Sequence, residues 1–122
     1  MAHWVKLTTH GDTRGKLTVI EKVLPFDLKR VYYIYDVPPD NIRGGHRHKK
    51  TIQAFVSIKG SCRFVCDNSK EKDEFVLDDA SKCLIVPPED WHQIKDFSPD
   101  CVLLGLASEL YSADDYIAEP YR

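Results

Sequence analysis

The sequence predicts an all-β domain of two packed antiparallel sheets, curled toward a small barrel. Three observations carry this reading. Short apolar or alternating runs recur along all 122 residues, turn-forming clusters interrupt them, and only the C-terminal end carries a helix signal. Turns spaced about every 8–12 residues are the pattern of a sandwich or barrel.

The strands follow in order. Lys16–Glu21 comes after the polar turn Asp12-Thr13-Arg14-Gly15 and is rich in β-branched residues. Arg30–Asp36 combines aromatic and β-branched side chains and is closed by Pro38-Pro39-Asp40-Asn41. Thr51–Ile58 reverses at Lys59-Gly60, and Cys62–Asp67 turns at Asp67-Asn68-Ser69. Glu74–Leu77 and Lys82–Val86 come next, the latter stopped by Pro87-Pro88-Glu89-Asp90. His92–Asp96 and Cys101–Ala107 flank Ser98-Pro99-Asp100. At the end, Ser112 caps an expected short C-terminal helix through Asp115 and Tyr116, stopped by Pro120. With no linker or repeat, residues 1–122 are read as one domain.

Lysine and arginine number 17 against 19 acidic residues, a net charge of −2, which argues against a nucleic-acid or membrane surface. No apolar run reaches the ~20 residues of a membrane helix, and the N-terminus lacks a signal-peptide pattern. Cys62, Cys66, Cys83 and Cys101 show no zinc-type C-x-x-C spacing. Buried, reduced thiols in a cytoplasmic protein are expected.

Arg43-Gly44-Gly45-His46-Arg47-His48 is the segment richest in chemistry. On an extended backbone His46 and His48 share one face, and the two glycines let that backbone approach a neighbour closely. A solvated pair among Arg47, Lys49 and Lys50 is the plain alternative. The glycine, the His-x-His pair, Gln53 and Gly60 resemble the first motif of the cupin superfamily. His92, after Pro87, fits its second motif loosely. Gln53 stands where that motif carries a carboxylate ligand, and a neutral amide is a poor ligand for a divalent cation. The histidines are therefore expected to act as acids and bases, with no metal.

Arg14, Arg30 and Arg43 are candidate phosphate ligands, because a guanidinium inside a barrel needs an anion. Parity puts Arg30, Tyr32 and Ile34 on one face of their strand, which we take as the inner one, and Val31, Tyr33 and Tyr35 on the other. Trp91, beside His92, is read equally well as a stacking platform or a core plug.

Taken together, Arg30 through Asp36, Arg43 through Lys50 and Gly60-Ser61-Cys62-Arg63 resemble the dTDP-4-keto-6-deoxyglucose 3,4-ketoisomerases, small cupin enzymes. Trp91-His92, Asp96-Phe97-Ser98, Leu106-Ala107-Ser108 and Tyr111 through Ile117 continue the likeness over nearly the whole chain. Gly45 and Arg47 depart from it, the family pattern being bulkier at the first position and smaller at the second. The resemblance implies a cupin-type jelly roll and a cofactor-free isomerase acting on a dTDP-linked keto sugar, on a route to 3-amino-3,6-dideoxyhexoses of bacterial surface glycans. It also implies a homodimer with exchanged strands, for which apolar Trp4-Val5-Lys6-Leu7 is the candidate element. Family members run somewhat past Arg122, and some are fused to an acyltransferase, so this domain is expected to occur within longer chains too.

Such a reaction moves a carbonyl from carbon-4 to carbon-3 through an enediol. The expected roles are His46 at carbon, His48 at oxygen, and Tyr32 or Gln53 as oxyanion donor. Arg14, Arg30 and Arg43 would hold the diphosphate, with Trp91 and His92 lining the sugar site. The competing readings are a sugar 3,5-epimerase, a metal cupin using His46, His48 and His92, and a non-catalytic sugar-nucleotide-binding cupin.

Overall fold

A computed structural model describes residues 1–122, and in it the apolar runs resolve into twelve strands. They are β1 (His3–Lys6), β2 (Thr8–Asp12), β3 (Gly15–Val19), β4 (Arg30–Tyr35), β5 (Arg43–His48) and β6 (Gln53–Lys59). After them come β7 (Cys62–Asp67), β8 (Lys72–Leu77), β9 (Lys82–Val86), β10 (Trp91–Lys95), β11 (Val102–Ala107) and β12 (Tyr116–Ile117). One five-stranded sheet has the order β1-β9-β6-β11-β4 and a second β12-β5-β10-β7-β8, while β2 and β3 form a separate hairpin. Every pairing is antiparallel.

The expected sandwich is present, but the barrel is not closed: β4 and β12 each end a sheet without pairing to one another. Phe55, Leu84, Val86 and Leu103 from the first sheet pack on Phe64, Cys66, Leu77 and Ile94 from the second. The opposite face of the first sheet, with Ala54, Val56, Cys83, Ile85 and Leu106, is covered by Leu7, Ile20, Val23, Leu24 and Phe26. Burial on both faces explains why β6 and β9 read as continuous apolar runs rather than alternating ones. All four cysteines are free and buried, and burial pushes the thiols of Cys66 and Cys83 up to about 12 and about 11. None is a nucleophile at neutral pH.

Two expectations need correction. The C-terminal helix is absent, replaced by a single 3-10 turn, Ala113–Asp115, whose Ser112 makes no side-chain cap. Long-range contacts win there: Tyr116 pairs with His48 in β12, and the Asp115 carboxylate is taken by residues 48–51. The Trp4 segment, expected on a neighbour's sheet, pairs with β9 of its own chain, Trp4 lying opposite Leu84. β2 escaped the sequence reading because Thr8-Thr9-His10-Gly11-Asp12 is polar throughout and exposed on both faces.

The local feature that places the site is a bulge in β5. His46 lies opposite His92 and Gly44 opposite Gln93, which leaves Gly45 as the extra residue. Gly44 and Gly45 have φ of 80° and 79°, where side chains other than glycine are strained. A Cβ at Gly44 would also sit 2.8 Å from the His92 carbonyl oxygen, whereas one at Gly45 meets nothing within 4 Å. Gly45→Ala is therefore expected to cost about 1–2 kcal/mol, the left-handed backbone alone. Gly44→Ala is expected to cost more and to displace His92, as read by denaturant unfolding. Equal costs for the two variants would contradict the close approach.

Candidate active site

β5 and β10 from one sheet face β4 and β6 from the other across a cavity of about 280 Å³. Its walls include Arg30, Tyr32, Arg43, His46, Gln53 and His92, together with Tyr111 and Tyr116 from the C-terminal segment. A larger depression of about 910 Å³ lies between the β2–β3 hairpin and residues 78–81, but it contains no histidine or arginine. The smaller cavity holds the convergent polar groups, and the chemistry belongs there.

The parity reading of β4 is correct. Arg30, Tyr32 and Ile34 face the cavity, while Val31, Tyr33 and Tyr35 face outward. The Tyr32 ring lies flat over Gly105 on β11, where any Cβ would meet it at 2.3 Å. Gln53 Nε2 donates to the Tyr32 hydroxyl at 2.7 Å. Arg30 spans the Tyr32 and Tyr111 rings at 5.3 and 5.8 Å, and its buried Nε has no partner.

Three imidazoles form the centre. The His46 ring lies 5.0 Å from both His48 and His92, and the latter two are 6.2 Å apart. His48 stands behind the wall, only 3% exposed, with Nδ1 2.9 Å from Asp115 Oδ2. Asp115 also accepts from the Lys50 backbone N–H at 2.9 Å and from the Thr51 hydroxyl. His92 Nδ1 contacts the Asp90 carbonyl at 3.1 Å, and the ring is buried.

Burial dominates the electrostatics. Desolvation, reinforced by His48, lowers His46 to about 4. Desolvation lowers His92 to about 3 against the pull of its Asp90 carbonyl contact. It lowers His48 too, but there Asp115 works in the opposite direction. Burial raises Asp115, yet the bonds from Thr51, Lys50 and His48 outweigh it and hold the carboxylate at about 2. The site at neutral pH is thus three uncharged imidazoles, one of them backed by an ionised carboxylate.

Two expected members are not brought in. Arg14 sits exposed at the tip of the β2–β3 hairpin, tied to Asp12 at 2.6 Å and outside the cavity. Trp91 faces away, donating from Nε1 to the Ala118 carbonyl at 3.0 Å, so it anchors the C-terminal tail and is neither sugar platform nor core plug. Arg47 also points outward, 4.8 Å over the Tyr121 ring, and Gly45 is the bulge residue, so neither departure from the family pattern adds a side chain to the cavity. No group of three or more histidine, cysteine, aspartate or glutamate side chains is placed to hold a metal ion. Gln53, at the expected carboxylate position, is engaged with Tyr32 instead. The sequence reading missed Asp115, Tyr111 and Tyr116 as site residues, because only long-range pairing brings that segment against β5.

The comparisons with known proteins agree with this geometry. The family described as FdtA, WxcM-like, C-terminal, matches residues 1–122. A TDP-4-oxo-6-deoxy-alpha-D-glucose-3,4-oxoisomerase of Aneurinibacillus thermoaerophilus is 46% identical over 110 residues, 88% of this chain and 79% of its own. The 3,4-ketoisomerase QdtA of Thermoanaerobacterium thermosaccharolyticum, solved in complex with TDP, is 40% identical with a TM-score of 0.93, covering 97% of this chain and 88% of its own. The TDP-fucose-3,4-ketoisomerase WlaRA of Campylobacter jejuni is 33% identical with a TM-score of 0.90, covering 97% and 89%. An all-β sandwich of matching shape, with a likeness running from end to end, leaves one assignment: the chain belongs to the FdtA, WxcM-like family.

Proposed function

We propose that this protein is a sugar 3,4-ketoisomerase that moves the carbonyl of a TDP-linked 4-keto-6-deoxyhexose to carbon-3. The observation that carries this is the pair of neutral imidazoles, His46 and His48, 5.0 Å apart beside the Arg30–Tyr32 wall, in a chain 46% identical to an oxoisomerase of that name. The carbon-4 carbonyl acidifies the hydrogen on carbon-3, and its removal gives a 3,4-enediolate. The hydroxyl proton then passes from the carbon-3 oxygen to the carbon-4 oxygen, and carbon-4 takes up a proton. Carbon-3 is oxidised and carbon-4 reduced within one molecule, so the electrons balance without a redox cofactor. His46 and His48 carry the protons, and Tyr32, its hydroxyl held by Gln53, is the oxyanion donor. Arg30, with its unpartnered Nε, and Arg43 hold the diphosphate at the mouth, while His92 packs behind the ring. The cavity is near the low end of the ~300–1,000 Å³ range of small-molecule sites. It holds the sugar, with the nucleotide extending past Tyr111.

The setting fits biosynthesis of deoxyamino sugars from nucleotide-linked precursors in the cytoplasm, where free buried thiols persist. No helix is long and apolar enough to cross a membrane. The assembly we propose is a homodimer. Val31, Tyr33 and Tyr35 are 56–63% exposed along the unpaired edge strand β4, an apolar strip that a second copy would cover.

With TDP-4-keto-6-deoxyglucose as substrate, NMR of the sugar ring is expected to show the carbonyl signal moving from carbon-4 to carbon-3. His46→Asn and His48→Asn are each expected to slow this by roughly 10²–10⁴-fold. Deuterium entering carbon-5 would indicate epimerisation instead, and full activity in either variant would remove that histidine from the proton path. Replacing both Tyr33 and Tyr35 with glutamate is expected to shift sedimentation toward monomer. An unchanged dimer would place the contact elsewhere.

A further inference from the structure

Asp115 is absent from the cavity wall, yet it is among the most tightly held carboxylates in the molecule. Its oxygens receive the Lys50 backbone N–H, the Thr51 hydroxyl and His48 Nδ1, and its own backbone carbonyl accepts from the Lys49 N–H at 2.8 Å. Four consecutive residues of the β5–β6 connection thus converge on one side chain delivered from the far end of the chain. An ionised carboxylate only accepts hydrogen bonds, so the His48 nitrogen facing it must be N–H. The other nitrogen, Nε2, is then left bare. It is buried and has no hydrogen-bond partner, and Gln53 and Arg30 lie on that side. His46 has no comparable support: its ring is backed only by the Gly44 backbone.

We propose that Asp115 is a positioning residue that fixes His48 in the Nδ1–H tautomer and makes its Nε2 the base that takes the carbon-3 proton. The inference rests on the ketoisomerase reading and assigns the two histidines within it, reversing the roles expected from the sequence. Removing a proton from carbon needs the stronger of the two bases, and that is the imidazole whose cation is stabilised by a carboxylate at 2.9 Å. The balance is simple. The electron pair of the C3–H bond becomes the C3–C4 double bond, negative charge settles on the carbon-4 oxygen, and His48 becomes an imidazolium paired with Asp115. His46, which lines the cavity, passes the hydroxyl proton between the two oxygens. His48 returns its proton to carbon-4. The groups facing the His48 ring are Asp115, Arg30, Gln53, His46, His92 and the ring of Tyr116, and of these only Asp115 is anionic.

Asp115→Asn is the direct test, because an amide can donate to Nδ1 and so invert the tautomer. The variant is expected to lose roughly 10²–10⁴-fold in kcat with KM within a few-fold. Exchange of the carbon-3 hydrogen with deuterium from solvent should fall in step, the acidic limb of the kcat/KM profile should move to lower pH, and Asp115→Glu should recover part of the rate. A variant that melts and binds TDP like the parent but keeps its kcat overturns the proposal. Should Asp115→Asn not fold, ¹⁵N NMR of the imidazoles in the unmodified protein decides: Nδ1–H with bare Nε2 at His48 is required, and the opposite tautomer refutes it. That readout needs no turnover, so it separates failure of this assignment from failure of the isomerase reading.

Discussion

The structure turns on desolvation of three imidazoles packed within about one ring's width of each other. Three cations at centroid separations of 5.0–6.2 Å would repel strongly, and the cluster persists because burial keeps each ring neutral. The consequence for stability has a definite sign. Between about 4, where His46 titrates in the folded chain, and its ordinary 6.5, the unfolded chain binds protons that the folded chain refuses. Acidification through that window therefore destabilises the fold. The same desolvation weakens the rings as bases, so a carboxylate placed behind one of them decides which ring takes a proton from carbon.

Backbone devices make that packing possible. The bulge at Gly45 turns β5 so that His46 and His48 reach one side while Gly44 presses against the β10 backbone at His92. Gly105 leaves a floor on β11 for the Tyr32 ring, which brings its hydroxyl to Gln53. On the outer side, Trp91 and Tyr121 pin the C-terminal tail through the Ala118 and Glu89 carbonyls. That pinned tail is what holds Asp115 and Tyr116 against β5. Core, bulge and tail each fix one wall of the cavity.

Much of this was legible in the sequence, for identifiable reasons. Cys62–Asp67 and Lys82–Val86 are bounded by strong turn residues, and their strands begin and end there. The parity of Arg30, Tyr32 and Ile34 was decided by a period of two and an arginine that needed an inner anion. Gln53 in place of a carboxylate pointed away from metal ligation. What escaped depends on pairings between distant parts of the chain. Asp115 and Tyr116 read as a helix start, since capping signals are local whereas their partners lie 65–67 residues away. Arg14 looked like a phosphate ligand from its Asp-x-Arg-Gly setting, but the hairpin gives that arginine a local carboxylate and carries it outside the cavity. Trp91 was ambiguous because the sequence does not show which side of β10 meets the tail.

The central claim, that this is a cluster of neutral, desolvated imidazoles, is tested most directly by following the histidine ring resonances by NMR as pH is lowered from 8 to 4.5. The account predicts that His3 and His10, which are exposed, titrate near the ordinary value of about 6.5. His46, His48 and His92 should remain uncharged well below it, with His92 the last to take a proton. A cluster histidine that titrates near 6.5 together with the exposed pair would contradict it.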